Sequence, residues 1–480
     1  MGILTFLFAF IIVMNILLGI SIVFLERKNP PSTWAWLMVL LFIPILGFIL
    51  YLIFGRSLYR KRIFTWDRKT WIAFRKSVKD QMGVFHNHQF RFNNPNMQEY
   101  SDIAYLHLRN DDAVLTQDNN VQIFTDGKEK FDSLIEDLEK AEDHIHLQYY
   151  IIRNDELGQR IARTLIRKAK QGVEVRVLYD DLGSRSLSKK FLHKLRKEGV
   201  QIEAFFPSTF LKINFEINYR NHRKAAIIDG RIAYIGGFNI GDEYLGKKKK
   251  FGYWRDTHLR IEGHAVNSIQ TRFVLDWNHA SRRDILYNKR YYNAKPSGNV
   301  GMQIVSSGPD SELEQIKYGY IKMILSAKEY IYIQTPYFIP DNSLFDALRI
   351  AAFSGVKVRL MIPNKPDHPF VYWATLSYSG ELLAAGAEVY IYQNGFLHAK
   401  TIVVDGKIAS VGTANIDVRS FQLNFEVNAF IYDQEISKQL VDAFNQDIKL
   451  STQMTEKLYN KRTIGIRFKE SISRLISPVL

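Results

Sequence analysis

Residues 221–239 read N-H-R-K-A-A-I-I-D-G-R-I-A-Y-I-G-G-F-N, and the interpretation of the whole chain starts from them. The apolar runs on either side of the Asp-Gly step predict two strands joined by a tight turn, because this step is a strong hairpin signal. Side chains alternate along a strand, so His222 and Lys224 are expected on one face and Arg223 on the other. An imidazole that can attack or carry a proton would then lie beside an ammonium that can hold a phosphate oxygen. A surface hairpin with an isolated histidine is the alternative explanation.

The same pattern occurs again at residues 398–415, which read H-A-K-T-I-V-V-D-G-K-I-A-S-V-G-T-A-N. The spacing HxKxxxxD recurs without a gap, and each copy has an asparagine downstream. The matching positions are His222 and His398, Lys224 and Lys400, Asp229 and Asp405, and Asn239 and Asn415. Chance recurrence of these residue types at fixed offsets is very improbable, so the repeat indicates two related halves.

This pair of motifs resembles the signature of the phospholipase D superfamily. Three further stretches, G-D-E-Y-L-G at 241–246, F-G-Y-W-R-D at 251–256 and Q-T-P-Y-F-I-P at 334–340, resemble the bacterial cardiolipin synthases within it. The resemblance covers nearly the whole chain. It implies an α/β fold in which two tandem phospholipase D-type domains pack about one shared active site. It also implies an enzyme that works without a cofactor or a metal ion.

The resemblance further implies a role for each motif residue. In the superfamily one histidine attacks phosphorus to give a phosphohistidine, and the other acts as acid and then as base. By resemblance alone, His222 is assigned as the nucleophile and His398 as the acid and base. The implied set is catalytic His222, Lys224, Asp229, His398, Lys400 and Asp405, phosphate-binding Asn239 and Asn415, and Asp256 and Glu426 as carboxylates that orient the imidazoles.

Two details of the motifs qualify this assignment. Asp229 and Asp405 fall at the hairpin turns, so they are expected to hold the loops rather than to touch substrate. The glycine pair Gly236-Gly237 of the first copy becomes Gly412-Thr413 in the second, which predicts unequal half-sites.

The composition limits the class of protein. A chain of 480 residues can hold two or three domains with sizeable cores. Cysteine is absent, which excludes disulfides, cysteine-based zinc sites and thiol nucleophiles. The net charge of +15 indicates an anionic partner, either nucleic acid or an anionic membrane surface.

The N-terminus favours the membrane. Residues 1–60 contain two apolar runs, about 3–25 and 34–54, and each approaches the ~20 residues that a helix needs to cross the hydrocarbon core. They predict a transmembrane helical hairpin; a buried hairpin of a soluble protein is the alternative. A cleaved signal peptide is disfavoured, because no basic region precedes the first run and no small-residue cleavage site follows it.

Basic residues predict the orientation of this hairpin. Arg56, Arg60, Lys61 and Arg62 follow the second run and outnumber Arg27 and Lys28 between the runs. The positive-inside rule then places both ends and the catalytic body in the cytoplasm of a multi-pass protein of the cell membrane.

The remaining chain divides into three parts. Residues 61–111 are mixed in composition and aromatic, show no clear period, and are expected to form a connecting segment. Residues 112–290 are expected to form the first half. Residues 291–480 are expected to form the second half, which ends in an amphipathic helix. Helical spacing alternates with short apolar strands in both halves, which predicts an α/β fold. The repeat extends beyond the motifs, since A-E-D-H-I-H-L-Q at 141–148 matches A-K-E-Y-I-Y-I-Q at 327–334.

Several features keep two interpretations each. The apolar loop at residues 208–219 is either core or the lining of a lipid groove. The lysine run 247–250 is either a solvated face or an attractant for anionic headgroups. The C-terminal segment, with Phe468, Ile472, Leu475, Ile476 and Val479 at helical spacing, either lies at a membrane interface or packs on the enzyme body.

The predicted function is a membrane phosphatidyltransferase that joins two molecules of phosphatidylglycerol into cardiolipin with release of glycerol. Hydrolysis by water or transfer to another alcohol is the nearer alternative. A nuclease of the same superfamily is disfavoured, because membrane runs precede the motifs and no nucleic-acid module is recognisable. His144 and His146 share a strand face but have no third ligand at metal-binding spacing, so they are expected to be strand core rather than a metal site. The oligomeric state is not predicted.

Overall fold

A computed structural model describes residues 2–26, 30–51, 63–64, 66, 68–207, 218–282, 288–365 and 367–477. Several predictions fall on residues outside these ranges: the apolar loop 208–217, the end of the second apolar run at 52–54, and Val479. The basic residues used to predict the orientation, Arg27, Lys28, Arg56, Arg60, Lys61 and Arg62, also lie outside them. The described chain begins with apolar helices, continues through a helical connecting segment, and ends in two α/β halves that share one sheet.

The N-terminal helices are α1 (Gly2–Ser21), which continues as a π-helical turn (Ile22–Glu26), α2 (Pro30–Phe42) and α3 (Pro44–Leu50). By length and composition, Thr5–Phe24 suffices to cross a membrane. The second apolar run differs from the prediction, because Pro44 divides its described part into two shorter helices. Proline has no N–H and its ring clashes with the preceding turn, so a helix breaks there.

Asn15 connects the two apolar runs. Its Nδ2 donates to the carbonyl oxygens of Leu40 at 3.2 Å and Pro44 at 3.0 Å. The Leu40 carbonyl would normally accept from the residue at position 44, where proline has no hydrogen to give. The single strongly polar side chain of the first run therefore satisfies a backbone group that the second run leaves free.

The connecting segment is more regular than its sequence predicts. It forms three helices, α4 (Arg68–His86), α5 (Pro95–Glu99) and α6 (Ser101–Asn110). Val78, Met97, Ile103 and Leu108 are buried in the same core cluster as Ile333 and Leu360 of the second half. The segment is thus part of the folded body rather than a simple linker.

The first half contains β1 (Thr116–Phe124), α7 (Gly127–Glu139), β2 (His144–Tyr149), α8 (Glu156–Lys170), β3 (Glu174–Asp180), α9 (Lys189–Lys197), β4 (Gln201–Phe205), β5 (Arg220–Asn221), β6 (Ala225–Ile228), β7 (Ile232–Gly236), β8 (Trp254–Arg255), β9 (His258–Glu262) and α10 (Ala265–Ser281). The predicted alternation of helices and strands between residues 131 and 206 is confirmed.

The second half contains β10 (Val300–Ser307), α11 (Gln315–Ser326), β11 (Tyr330–Gln334), β12 (Phe338–Ile339), α12 (Asn342–Phe353), β13 (Lys357–Pro363), α13 (Pro369–Ala384), β14 (Glu388–Tyr392), β15 (Phe396–Leu397), β16 (Thr401–Val404), β17 (Ile408–Gly412), β18 (Ile416–Asp417), α14 (Val418–Gln422), β19 (Asn424–Ile431), α15 (Gln434–Lys449), β20 (Ser451–Met454), α16 (Glu456–Asn460) and α17 (Ile464–Leu475).

One sheet runs through both halves in the order β20-β14-β13-β11-β16-β17-β19-β10-β1-β9-β7-β6-β2-β3-β4. Strands β1 and β10 form the antiparallel junction of the halves, where Thr116 faces Met302. Outward from this junction, the strands of the two halves follow the same order. A shared apolar cluster, including Ile227 and Leu259 of the first half and Val411 and Val427 of the second, packs the halves together. The hairpins that carry the two motifs therefore belong to one continuous sheet with a shared core.

Candidate active site

Both HxKxxxxD motifs form the predicted hairpins, β6–β7 and β16–β17. His222 and Lys224 lie just before β6 rather than inside it, and His398 and Lys400 precede β16 in the same way. The predicted alternation holds in this extended stretch. The side chain of His222 reaches Glu426, whereas Arg223 between it and Lys224 bonds to Asp276 instead.

Each motif histidine is oriented by a carboxylate from the other half. His222 Nδ1 lies 2.9 Å from Glu426 Oε1 and 3.0 Å from Oε2. His398 Nδ1 lies 2.6 Å from Asp256 Oδ2. With Nδ1 bound to a carboxylate, Nε2 is the ring nitrogen left to face a substrate. The family resemblance implies both carboxylates, and the structure adds that the pairing crosses between the halves.

Short parallel strand pairs produce this exchange. β15, immediately before His398, pairs with β8, immediately before Asp256. β5, immediately before His222, pairs with β19, which contains Glu426. Backbone bonds continue each pair, since the His398 amide donates to Arg255 O at 2.7 Å and the His222 amide to Phe425 O at 3.0 Å.

The two motif lysines complete the cluster. Lys224 Nζ donates to the backbone oxygen of His222 at 2.6 Å, and Lys400 Nζ donates to that of His398 and lies 2.9 Å from its Nδ1. Both lysines and both carboxylates are almost wholly buried. Each ammonium is thus fixed beside an imidazole by its own main chain.

Burial lowers the pKa of both imidazoles to about 4. At His222, Glu426 opposes the lowering of the pKa and Lys224 adds to it. At His398, Lys400 adds to the lowering and Asp256 opposes it. Both rings are therefore neutral near pH 7 when no substrate is bound. A phosphodiester anion in the cluster would favour the charged ring and supply the conditions for an imidazolium acid.

Burial also lowers the pKa of Lys224 to about 7 and that of Lys400 to about 8. Burial alone would raise the pKa of Asp256 and Glu426. The attraction of Lys400 and of the hydrogen-bonded His398 at Asp256, and of the hydrogen-bonded His222 and of Lys224 at Glu426, outweighs this effect, so both pKa values lie below the ordinary range. The cluster thus combines ionised carboxylates with cations that can lose a proton close to neutral pH.

The two asparagines are both buried but differ in their partners. Asn239 Oδ1 accepts from the Ile151 amide at 3.1 Å, and its Nδ2 donates to Tyr244 OH at 3.1 Å. Asn415 is also buried, and its Oδ1 has no hydrogen-bond partner among the described residues. Binding of phosphate by these amides remains a prediction.

Asp229 and Asp405 occupy the hairpin turns, as expected, with φ of 53° and 51°. The Asp229 carboxylate accepts from the amides of Glu142, Asp143 and His144 at 2.8 to 2.9 Å. Asp405 does the same for residues 328–330, at 2.8 Å in each case. Both lie at the opposite end of β6 and β16 from the histidines, so these carboxylates fasten the hairpins and are not brought into the cluster.

The half-sites differ where the sequence predicts a difference. A side chain at Gly237 would place its Cβ 1.8 Å from Asp256 Oδ1, so only glycine lets this carboxylate approach. In the second half Thr413 takes the equivalent position, and its Oγ1 accepts from the Val427 amide at 2.9 Å. The half-site with glycine therefore has the shorter carboxylate side chain, aspartate, and the half-site with threonine has the longer one, glutamate.

Sequence reasoning missed two aromatic neighbours of the histidines. The Tyr150 ring lies edge-on to His222 with 4.8 Å between centroids, and the Trp254 ring lies 5.1 Å from His398. Trp254 falls inside the stretch F-G-Y-W-R-D, so its proximity to Asp256 was a usable signal. Tyr150 follows β2, and no local pattern marks it.

Arg223 and Asp276 form a buried ion pair behind the motif, with Nη1 2.8 and 2.7 Å from the two carboxylate oxygens. Arg223 Nε also donates to the Glu426 backbone oxygen at 3.1 Å. The middle residue of the first motif thus holds the strand that supplies the partner of His222.

His144 and His146 belong to the buried core of β2, as predicted. Both rings contact Gln270 Oε1, at 3.3 and 3.2 Å. Within the described ranges, no group of three or more His, Asp or Glu side chains is arranged to hold a metal ion.

A separate cavity of about 1310 Å³ lies between α10, the connecting segment and the central strands. Its lining, as far as the structure describes it, includes Trp66, Asp111 and Arg272 but no motif side chain. The candidate chemistry is therefore assigned to the histidine cluster and not to this cavity.

Comparison with known proteins agrees with the geometry. Residues 134–269 and 320–448 match the family model described as cardiolipin synthase, phospholipase D-like domain, and residues 4–56 match the phospholipase D-nuclease N-terminal model. A cardiolipin synthase of Oceanobacillus iheyensis is 66% identical over 480 residues, which is 100% of both chains. The chain belongs to the cardiolipin synthase family. The family also includes the major cardiolipin synthase of Bacillus subtilis, 59% identical over 482 aligned positions and 100% of both chains.

A solved structure supports the fold. The crystal structure of phosphatidylserine synthase from Haemophilus influenzae matches with a TM-score of 0.61, covering 81% of this chain and 100% of that one. The sequence identity is 16%, so this likeness concerns the fold alone. The predicted tandem phospholipase D-type α/β domains are confirmed.

Proposed function

We propose that this chain is a membrane phosphatidyltransferase that joins two phosphatidylglycerols into cardiolipin and releases glycerol. The observation that carries the proposal is the pair of buried, carboxylate-oriented imidazoles, His222 and His398, in a member of the cardiolipin synthase family. They belong to one cluster, because the charge of Lys400 lowers the pKa of His222 and that of Lys224 lowers the pKa of His398. Phosphatidyl transfer needs a nucleophile, an acid for the leaving alcohol and positive charge at the non-bridging oxygens. The cluster contains a candidate for each role.

In the first step, Nε2 of His222 attacks the phosphorus of one phosphatidylglycerol, and the bond from phosphorus to the oxygen of the headgroup glycerol breaks. His398, protonated once the anionic substrate is bound, gives its Nε2 proton to that oxygen, and glycerol leaves. Glu426, held at Nδ1 of His222, balances the positive charge that the attacking ring acquires. The product of this step is a phosphatidyl-histidine.

In the second step, a hydroxyl of the second phosphatidylglycerol attacks the same phosphorus. His398 is now neutral and takes the proton of this hydroxyl, while the bond to His222 breaks and cardiolipin leaves. Lys224 and Lys400 stabilise the charge on the non-bridging oxygens throughout, with Asn239 and Asn415 as further donors. Dividing the transfer in two replaces one hard displacement with two easier ones.

The reaction is tested by incubating the purified full chain in detergent with phosphatidylglycerol alone and identifying the products by mass. Equal amounts of cardiolipin and glycerol are expected. Phosphatidic acid as the main product would instead assign a hydrolase, and a product with an added alcohol would identify a different acceptor. The His398→Ala protein is the matched negative control.

The histidine roles are tested with a lipid phosphodiester that carries a nitrophenol leaving group, which needs little protonation to depart. Rapid-quench labelling should find no phosphatidyl-enzyme in His222→Ala, and a slowly formed, persistent adduct in His398→Ala. Adduct on His398 in the His222→Ala protein would reverse the assignment. Absence of adduct from wild type and both variants would contradict the covalent route.

The proposed location is the cell membrane, with both apolar runs spanning it as a hairpin and the catalytic body in the cytoplasm. The Asn15 hydrogen bonds to Leu40 and Pro44 support close packing of the runs. Because the chain lacks cysteine, a single cysteine at the exposed Lys248 reports the side directly. Labelling of intact cells by an impermeant maleimide would place the body outside instead.

A further inference from the structure

Helix α17 (Ile464–Leu475) has two faces of different character. Glu470 and Ser473 are buried on the face that packs along α13. Contacts at the end of the helix hold it there, because Arg474 Nη2 lies 3.0 Å from Glu381 Oε2 and Ser477 Oγ lies 3.3 Å from Tyr378 OH. The position of α17 on the body is therefore fixed by one face only.

The opposite face is an apolar stripe that nothing in the described chain covers. It consists of Ile464, Phe468, Ile472 and Leu475, which are 86%, 66%, 39% and 77% exposed. These positions recur every three or four residues, so they form one line along the helix. Exposure of a contiguous apolar line on a folded body marks an interaction surface.

Basic side chains border the stripe on both sides. Arg467 and Arg474 lie along one edge and Lys469 along the other, as helical spacing requires. The Lys469 ammonium lies 5.3 Å from the centre of the Trp373 ring on α13. An apolar line with cations at both of its edges is the arrangement of a helix that lies flat at an anionic lipid surface, with its cations at headgroup level.

The stripe is connected to the rim of the catalytic cluster. α13, on which α17 packs, begins two residues after Asp367, whose charge is near enough to oppose the lowering of the Lys400 pKa. Thr375 of α13 accepts from the Phe338 amide at 3.1 Å, and Phe338 begins β12, the partner of β18 beside Asn415. α13 therefore lies between the catalytic cluster and α17.

We propose that α17 is a second membrane contact, which lies in the interface of an anionic bilayer with the Ile464–Leu475 stripe among the acyl chains. It would fix the body on the bilayer so that the α13 edge of the cluster faces the lipid surface. This inference goes beyond the proposed reaction, since it concerns how the body is seated and not which bond is exchanged. A second copy of the chain is the rival occupant. The bordering cations favour the anionic bilayer, because two identical stripes would bring like charges together.

The absence of cysteine allows a direct test. Phe468→Cys and Phe353→Cys are matched variants, because both replace a phenylalanine about two-thirds exposed on a helix surface, 66% and 67% respectively. Phe353 ends α12, the end remote from β12. Each full-length variant is labelled with an environment-sensitive fluorophore and reconstituted in vesicles containing phosphatidylglycerol.

We expect brominated lipid to quench the label at position 468 at least threefold more than the label at 353, and iodide in the buffer to do the reverse. Equal quenching at both positions would overturn the proposal. Oxidative cross-linking of Phe468→Cys tests the rival occupant. Disulfide-linked dimers that form equally well in detergent and in vesicles would assign the stripe to a second copy.

A functional variant separates this proposal from the reaction itself. Replacing Phe468 and Ile472 together by serine should raise the apparent KM for phosphatidylglycerol in vesicles several-fold, with turnover in mixed detergent micelles unchanged. Unchanged kinetics in vesicles would contradict a role in seating. Failure of the proposed reaction would appear differently, as the wrong product from the wild-type protein in micelles.

Discussion

Replacing Glu426 by glutamine should disable His222, although the two residues are 204 positions apart. Glutamine keeps the volume and one acceptor oxygen, but it cannot balance an imidazole that becomes positive. Both carboxylate oxygens lie within 3.0 Å of Nδ1 and the carboxylate is fully buried, so no solvent can replace its charge. Removing one partner of such a pair costs about 3–5 kcal/mol.

At about 1.36 kcal/mol per decade, that cost corresponds to a decrease in kcat of roughly 150- to 5000-fold. The decrease should appear in the formation of the phosphatidyl-enzyme, measured by rapid quench with the nitrophenyl lipid. Asp256→Asn should instead slow the breakdown of the adduct, because Asp256 serves the acid and base His398.

Asp137→Asn provides the matched control. It breaks a partly buried ion pair, with Arg260 Nε at 2.7 Å, in a different part of the first half. This variant should lose stability but keep kcat within a few-fold. The reasoning is refuted if Glu426→Gln forms adduct at the wild-type rate, or if Asp137→Asn loses as much activity.

Three further outcomes are expected. Lys224 must carry its proton to hold phosphate, so kcat/KM should fall as pH rises through its pKa of about 7. In Lys224→Arg this fall should move up by about one pH unit, to where Lys400 titrates. A pH profile that does not move would exclude Lys224 as the titrating group. Asp229→Asn should lower the free energy of unfolding by about 2–4 kcal/mol, measured in urea, because three backbone hydrogen bonds to its carboxylate weaken. A large loss of kcat in the folded variant would instead mean that Asp229 acts on substrate. Replacing the exposed lysines at 248–250 by glutamine should flatten the salt dependence of activity on anionic vesicles, since each cation contributes about 1 kcal/mol at most. A salt dependence identical to that of the wild type would show that these lysines form a merely solvated face.

The sequence predicts the local part of the fold well, because periodicity reports which face of each element is buried. α8, β3 and the two motif hairpins are clear in this way. β1 is not, since T-Q-D-N-N-V-Q-I-F has no continuous alternation. Its Asn119 is fully buried and donates to Val300 O at 2.9 Å across the junction of the halves. A polar residue that is satisfied by a distant strand cannot be distinguished from a loop residue by local pattern.

The candidate site shows the same division. Residue identity at repeated spacing picks out His222, His398 and their lysines, and the family pattern adds Asp256 and Glu426. Which carboxylate serves which histidine is decided by β5–β19 and β8–β15, pairs of two residues each that join distant parts of the chain. Strands this short have too few residues to show any period.

The exchange of carboxylates between the halves bears on the origin of the chain. In an isologous dimer, residue i of one subunit contacts residue j of the other, and j contacts i. The pairs His222–Glu426 and His398–Asp256 follow this rule within a single polypeptide. Two identical half-length subunits related by a dyad could thus have built the same site, whereas one alone would leave its histidine without a carboxylate. In a single polypeptide the two copies need not stay identical, and Gly237 and Thr413 differ at equivalent positions.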